Sequence, residues 1–381
     1  MKIYAGFYNR AILLLSTAML VLTGILGIER TKYCFFLIMA LSVLKFLHIR
    51  MDVRILLLLI AIGASSLVYS FLYGGQLVNW LIFMSSILYA YSLHVDGLEE
   101  RDWRLLQRCA VVISISFILY HLLAGQRNFA GFIMLYFDNP NMAGIAITAP
   151  TVILIISCIY RREQGNTRWR IPLYALIVCN TVLIYLTNNR GSLLTVAAAL
   201  LCAFCFRRRI PTQRTTNCLK TMLALSPILI LFLYVGLMQI IPQDAELLGK
   251  PFFSGRELAW QQALAQLLAH PFQKADLSIG TLNVFLEGVH RFGMISTIGF
   301  FAFLLSLKAD VRGMKHFEYT AYIVFFICLL QQAFESTLIT GSYTIYIWMY
   351  ALLGAAHVKE EERSDDHVLF QRAEPPSKAL V

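Results

Sequence analysis

The sequence predicts an all-α polytopic membrane protein of about twelve transmembrane helices, with both termini cytoplasmic and one large external loop. Three observations carry this. Of 381 residues, 58% are hydrophobic and 14% charged, where soluble domains carry about 25% charged. The apolar residues gather into runs near the ~20 residues that one helical span needs. If alternate links are placed inside, 24 of the 32 Lys and Arg fall on that side, as the positive-inside rule requires. The formal net charge of +10 is therefore topological, and nucleic acid is not an expected partner.

The first run, 11–28, follows "MKIYAGFYNR" and resembles a secretory signal. Eleven further runs favour a retained anchor. Runs at 33–48, 55–72, 77–95 and 105–124 follow, with Lys45, Arg50 and Arg54 on the inner link after the first of these and Arg101 and Arg104 on the inner link after the third. An external segment, 125–140, then ends in the turn sequence "DNPN". The sixth run is 141–160. Runs 171–187 and 191–206 are joined by the short link "NNR". A ninth run, 219–241, leads into the large external loop, 242–283, and runs 284–306, 317–334 and 337–356 complete the single membrane domain, 1–356. The polar tail, 357–381, contains Pro-Pro and is expected to be disordered in the cytoplasm.

Within the large loop, Ser254 to Glu257 has the spacing of a capping box that would start a helix near Gly255. Leu258, Trp260, Leu264, Leu267 and Leu268 then recur at helical spacing until Pro271 ends the run. Such a helix is amphipathic and too short to span, which suits the outer membrane surface or the end of the bundle. None of the eight cysteines falls in an outer loop, so no disulfide framework is implied. No zinc spacing, P-loop or dinucleotide fingerprint occurs, and no cofactor or metal is expected. There is no internal repeat of the kind that builds many transporters.

Arg190 is the residue out of place. The inner links on either side force its link outward, where only eight cationic side chains fall. Arg256 and Arg291 share that face with Asn139, Asn141, His270 and Asn283. Arginines at a membrane edge are costly unless paired, and a phosphate is their natural bidentate ligand. Each residue also has a structural reading. Arg190 could snorkel to headgroups, Arg256 could be a solvated helix residue, and His270 could simply end a helix. Order and sidedness, more than any one residue, single the group out.

Four segments, "YFDNPNMAG" (136–144), "TNNRGSLLT" (187–195), "SGRELAWQQALAQLLAHPF" (254–272) and "LNVFLEGVHRFGMI" (282–295), occur in the order seen in the O-antigen ligase/Wzy polymerase superfamily, which the chain resembles. The resemblance implies transfer of glycan from undecaprenyl diphosphate at the external face of a bacterial cytoplasmic membrane. It implies that Arg190 and Arg256 hold the donor diphosphate; Trp260, Asn139, Asn141, Asn283 and Arg291 are the candidate substrate-binding residues beside them. The acceptor is a further glycan unit or a lipid. One position departs from the pattern: where ligases carry His before Asn283, this chain has Leu282. A leucine takes no proton, so His290, Glu257 and Glu287 become the candidate bases. That departure favours a repeat-unit polymerase over a ligase. A lipid diphosphate leaves readily and no aspartate-rich motif occurs, so inverting, metal-independent transfer is expected. A polysaccharide flippase, or a family member that binds lipid-linked glycan without catalysis, are the alternatives.

Overall fold

The computed structural model describes residues 2–27, 32–125, 131–137, 140–165, 168, 170–242, 245–247, 250–253, 256–273, 283–340 and 345–359. The chain is an all-α membrane protein. Five helices are long and apolar enough to cross a membrane: Gly6–Leu26 within α1 (Lys2–Leu26), α3 (Val53–Leu72), α4 (Leu77–Asp96), α5 (Glu100–Leu123) and α6 (Pro140–Glu163). A sixth is the bent pair α9 (Gln213–Ala224) and α10 (Ser226–Leu237). Shorter apolar helices stand among them: α2 (Lys32–Leu47), α7 (Arg170–Leu186), α8 (Arg190–Cys205), α13 (Met294–Ser306) and α16 (Ile345–Ala355). The remaining helices are α11 (Glu257–Ala269), α12 (Val284–Phe292), α14 (His316–Gln332) and the one-turn α15 (Thr337–Thr340).

The bundle is built around α6, whose apolar window is 94% buried, together with α14 and α16, which are buried along almost their whole length. The outer helices keep large side chains exposed, such as Phe71, Leu123 and Ile171. An apolar girdle of this kind is stable against lipid rather than water.

Helix ends collect at two poles. At one, Asp102 accepts from Arg10 Nε at 2.8 Å and from Asn9 Nδ2 at 3.0 Å, while the fully buried Lys45 donates to Asn9 Oδ1 at 2.6 Å. This ties α1, α2 and α5 together. Glu163 accepts from the His316 backbone N–H at the same pole. There too β1 (Leu98–Glu99) pairs in parallel with β4 (Val358–Lys359). The other pole carries Arg190. There the 131–137 link crosses the bundle, with Tyr136 N donating to Gly24 O at 3.0 Å.

Four expectations are adjusted. The run 219–241 is two helices at 55°, because Pro227 lacks the N–H that would continue the α9 ladder. The run 284–306 divides at Gly293, whose φ of +81° only glycine adopts readily. The loop helix begins at Glu257 with Arg256 as N-cap and no side-chain cap, two residues later than the Ser254 spacing suggests. Ser254 and Gly255 lie outside the described residues. Finally, residues 357–359 belong to the bundle through the β1–β4 pair. The expected tail therefore begins later, outside the described residues. In the large loop, β2 (Glu246–Leu247) pairs antiparallel with β3 (Lys250–Pro251).

Candidate functional site

The "TNNRG" link makes a tight turn that fixes Arg190. Asn188 takes a left-handed φ of +51°, which asparagine tolerates better than most residues. Asn189 caps α8 by accepting from Ser192 N at 2.9 Å, and its Nδ2 donates to the Asn141 carbonyl at 2.8 Å. One side chain thereby fastens the start of α8 to the start of α6. Gly144 makes the approach feasible, since a Cβ there would sit 2.6 Å from that of Asn189. Gly144, Asn188 and Asn189 thus each have a local cause. Arg190 is the first residue of α8 and is half-buried.

Arg256 reaches the same place from the 242–283 loop. Its guanidinium lies 3.4 Å from the Glu335 carboxylate and 5.9 Å from the centre of the Phe334 ring. Both partners of this ion pair are largely buried, with side chains 15% and 5% exposed. Arg190 and Arg256 lie within Coulombic range of one another, and Tyr234 of α10 lies within range of Arg190. Two cations and one carboxylate leave this group formally positive.

Trp260 is placed beneath this group and not at its surface. It is 0% exposed, with ring centroids 4.7 Å from Tyr234 and 6.2 Å from Phe334. Leu231, Phe253, Ala263, Leu264 and Leu286 complete the cluster. The tryptophan expected to line the substrate is instead the anchor that seats α11, and with it Arg256, on the bundle. The expected apolar stripe shifts accordingly: Leu264 is buried, whereas Leu258 and Leu268 are exposed.

Asn283, also expected at the substrate, is fully buried and fully occupied. It accepts from Phe285 N and Leu286 N as the cap of α12, and donates to Pro227 O and Ala333 O. Four bonds exhaust an amide side chain, so Asn283 is a junction between α10, α12 and the end of α14. Arg291 is held at 2.5 Å by Glu287 one turn earlier, which occupies one of the candidate bases. His290 is half-buried in the last turn of α12, where its carbonyl accepts from Tyr69. It lies roughly 10 Å along the helix from Asn283 at 1.5 Å per residue. His270 is the C-cap of α11 and is exposed. Asn141 is the second residue of α6 and engages through its backbone carbonyl. Asn139 and Leu282 lie outside the described residues, as does the side chain of Glu257.

What the sequence reading missed is Glu335. It and Glu318 are the only acids between residues 311 and 359, and a carboxylate isolated between two apolar runs is as conspicuous as an arginine so placed. The segment Gln331–Glu335 organises the site around it. Gln331 Nε2 donates to Ser192 Oγ at 2.6 Å, Ala333 receives Asn283, and Phe334 lies 3.7 Å from where a Gly191 Cβ would be. Through these bonds and the Arg256–Glu335 pair, the segment joins the starts of α8, α11 and α12, and Asn189 ties α8 to the start of α6; the exposed N–H groups of helix starts favour an anion. Among the described residues, no group of three His, Cys, Asp or Glu is placed to hold a metal ion. No family model, curated protein or solved structure matches the chain.

Proposed function

We propose that this chain is a glycosyltransferase of the O-antigen ligase/polymerase type. It would cross a bacterial cytoplasmic membrane about twelve times, with both termini inside, and extend a polyprenyl-diphosphate-linked glycan at the external face. The observation that carries the reading is that Arg190, at the start of α8, and Arg256, at the start of α11, lie within Coulombic range of each other beside Glu335. Such a cluster suits a diphosphate, which offers several anionic oxygens to two planar guanidiniums.

In this reading the two arginines bind the donor diphosphate and stabilise the charge that grows as it departs. An acceptor hydroxyl attacks the anomeric carbon from the opposite face. The new C–O bond forms as the bond to the diphosphate oxygen breaks, and the electron pair leaves with the lipid diphosphate. The acceptor proton goes to Glu335, which is released from its pair with Arg256 as that arginine turns to the phosphate. Arg190→Ala should abolish long surface glycan while the protein stays in the membrane. A normal chain-length profile in that variant would refute the assignment.

A polysaccharide transporter is a second reading, and the 55° break between α9 and α10 favours it, since transporters bind substrates at interrupted helices. Cells lacking the protein separate the two. Single repeat units accumulating outside support a polymerase, a full ladder left on the carrier lipid supports a ligase, and glycan trapped on the inner leaflet supports a flippase.

A further inference from the structure

At the pole opposite Arg190 there is a cavity of about 540 Å³ between the end of α4, the α13–α14 link and β4. Three exposed cations line it: Lys308, Arg312 and Lys359. Two imidazoles, His94 and His357, form its wall with ring centroids 5.7 Å apart. Among the described residues none of the three cations forms an ion pair. The two acids on the lining, Asp310 and Glu318, accept from the backbone N–H groups of Arg312 and Lys315, which turns those carboxylate oxygens into turn and helix caps. The three cations outnumber the two acids, so the lining carries a formal charge of +1 and is rich in donors.

It is also a built feature. Gln213 grips the link from both sides, donating to Ala309 O and accepting from Val311 N. On the opposite wall, Gly97 has φ +69°, and a Cβ there would stand 1.9 Å from His357 O. Only glycine lets β4 close against β1 and bring Lys359 to the rim. His94 Nδ1 is buried with no hydrogen-bond partner, and the neutral ring can accept there from a protonated phosphate oxygen. Burial and the neighbouring Lys359 charge together push the His357 imidazole below its ordinary range. An anion in the cavity would relieve that cationic field.

We infer that this cavity is a phosphate-binding site, occupied by either the phosphoryl group of an anionic lipid headgroup or a soluble phosphate compound. Its size falls within the range of small-ligand pockets, and basic pockets between helices at a cytoplasmic surface are suited to anionic headgroups. The inference stands apart from the proposed transferase activity, because it uses no residue of the Arg190 pole.

The test uses the full chain in nanodiscs of zwitterionic lipid. One arm adds phosphatidylglycerol and reads the lipid retained by native mass spectrometry, and the other titrates inorganic phosphate by calorimetry. The native chain and Arg190→Ala should behave alike in at least one arm. Arg312→Ala/Lys359→Ala should weaken that binding at least tenfold, and Arg312→Lys/Lys359→Arg should retain it. Retention of phosphatidylglycerol identifies the lipid source, and saturable phosphate binding identifies the soluble one. Equal binding by the native chain and the double alanine variant would overturn the proposal. So would binding of neither probe, or loss of binding in Arg190→Ala.

Discussion

Glu335→Gln is expected to change donor binding and turnover in opposite directions. At 3.4 Å, the Arg256–Glu335 attraction is about 5 kcal/mol at an effective dielectric of 20, before any desolvation cost. A donor diphosphate has to draw Arg256 out of that interaction. Removing the carboxylate's charge takes away the competitor and changes the formal charge of the three side chains from +1 to +2. Much of the Coulomb energy is offset by solvation and by the hydrogen bond that glutamine can still accept. A gain of about 1.5 kcal/mol, the lower end for a hydrogen bond to a charged group, corresponds to about tenfold tighter binding. Turnover should nevertheless fall by a factor of 10²–10⁴, the usual worth of a positioned base. Affinity for undecaprenyl diphosphate can be measured by fluorescence titration in detergent, and transfer by a gel assay of the glycan. Unchanged or weaker affinity would refute the competing ion pair, and unchanged turnover would refute Glu335 as proton acceptor.

Three substitutions test the scaffold beneath the site. Asn189→Ala removes the cap of α8 and the bridge to Asn141; it should cost about 1–2 kcal/mol in detergent unfolding and weaken donor binding, and an unfolding midpoint equal to that of the native chain would contradict the bridge. Trp260→Ala empties the centre of the loop cluster, with an expected loss of about 3–5 kcal/mol. Proteolysis between residues 256 and 273 should accelerate, and an unchanged cleavage rate would show that α11 is seated some other way. Asp102→Ala leaves Arg10 and Asn9 without their shared acceptor at the far pole, and Lys45, held by Asn9, without that nearby negative charge. A loss of about 3–5 kcal/mol is expected, and a loss below about 1 kcal/mol would mean that water replaces the carboxylate.

Much of the helical layout was legible because hydropathy and charge report where a helix can lie in lipid. The breaks were less legible. Hydropathy stays high through Leu225, Ser226 and Pro227, yet the backbone ladder is interrupted there, a matter of hydrogen bonding that an apolar average does not register. Arg190 stood out because a charge beside two apolar runs is conspicuous. Glu335 is equally isolated, but it lies between runs whose boundary was drawn from length alone, and its meaning depends on Arg256, 79 residues away. Trp260 and Asn283 show the opposite difficulty. A tryptophan near an arginine and an asparagine before a helix fit a substrate site, and they fit a buried anchor and a helix cap equally well. Only burial and the count of hydrogen bonds separate those roles. Asn189, never singled out in the sequence, has the local job that makes the "NNRG" pattern intelligible.

The central claim is transfer from a lipid diphosphate at the Arg190–Arg256 pole. The most direct measurement incubates the purified chain in proteoliposomes with an undecaprenyl-diphosphate-linked repeat unit and follows glycan length together with released undecaprenyl diphosphate. A ladder of longer glycans with matching release of the lipid diphosphate, absent in Arg190→Ala, is the predicted result. Donor that changes leaflet without any growth in glycan length would contradict it.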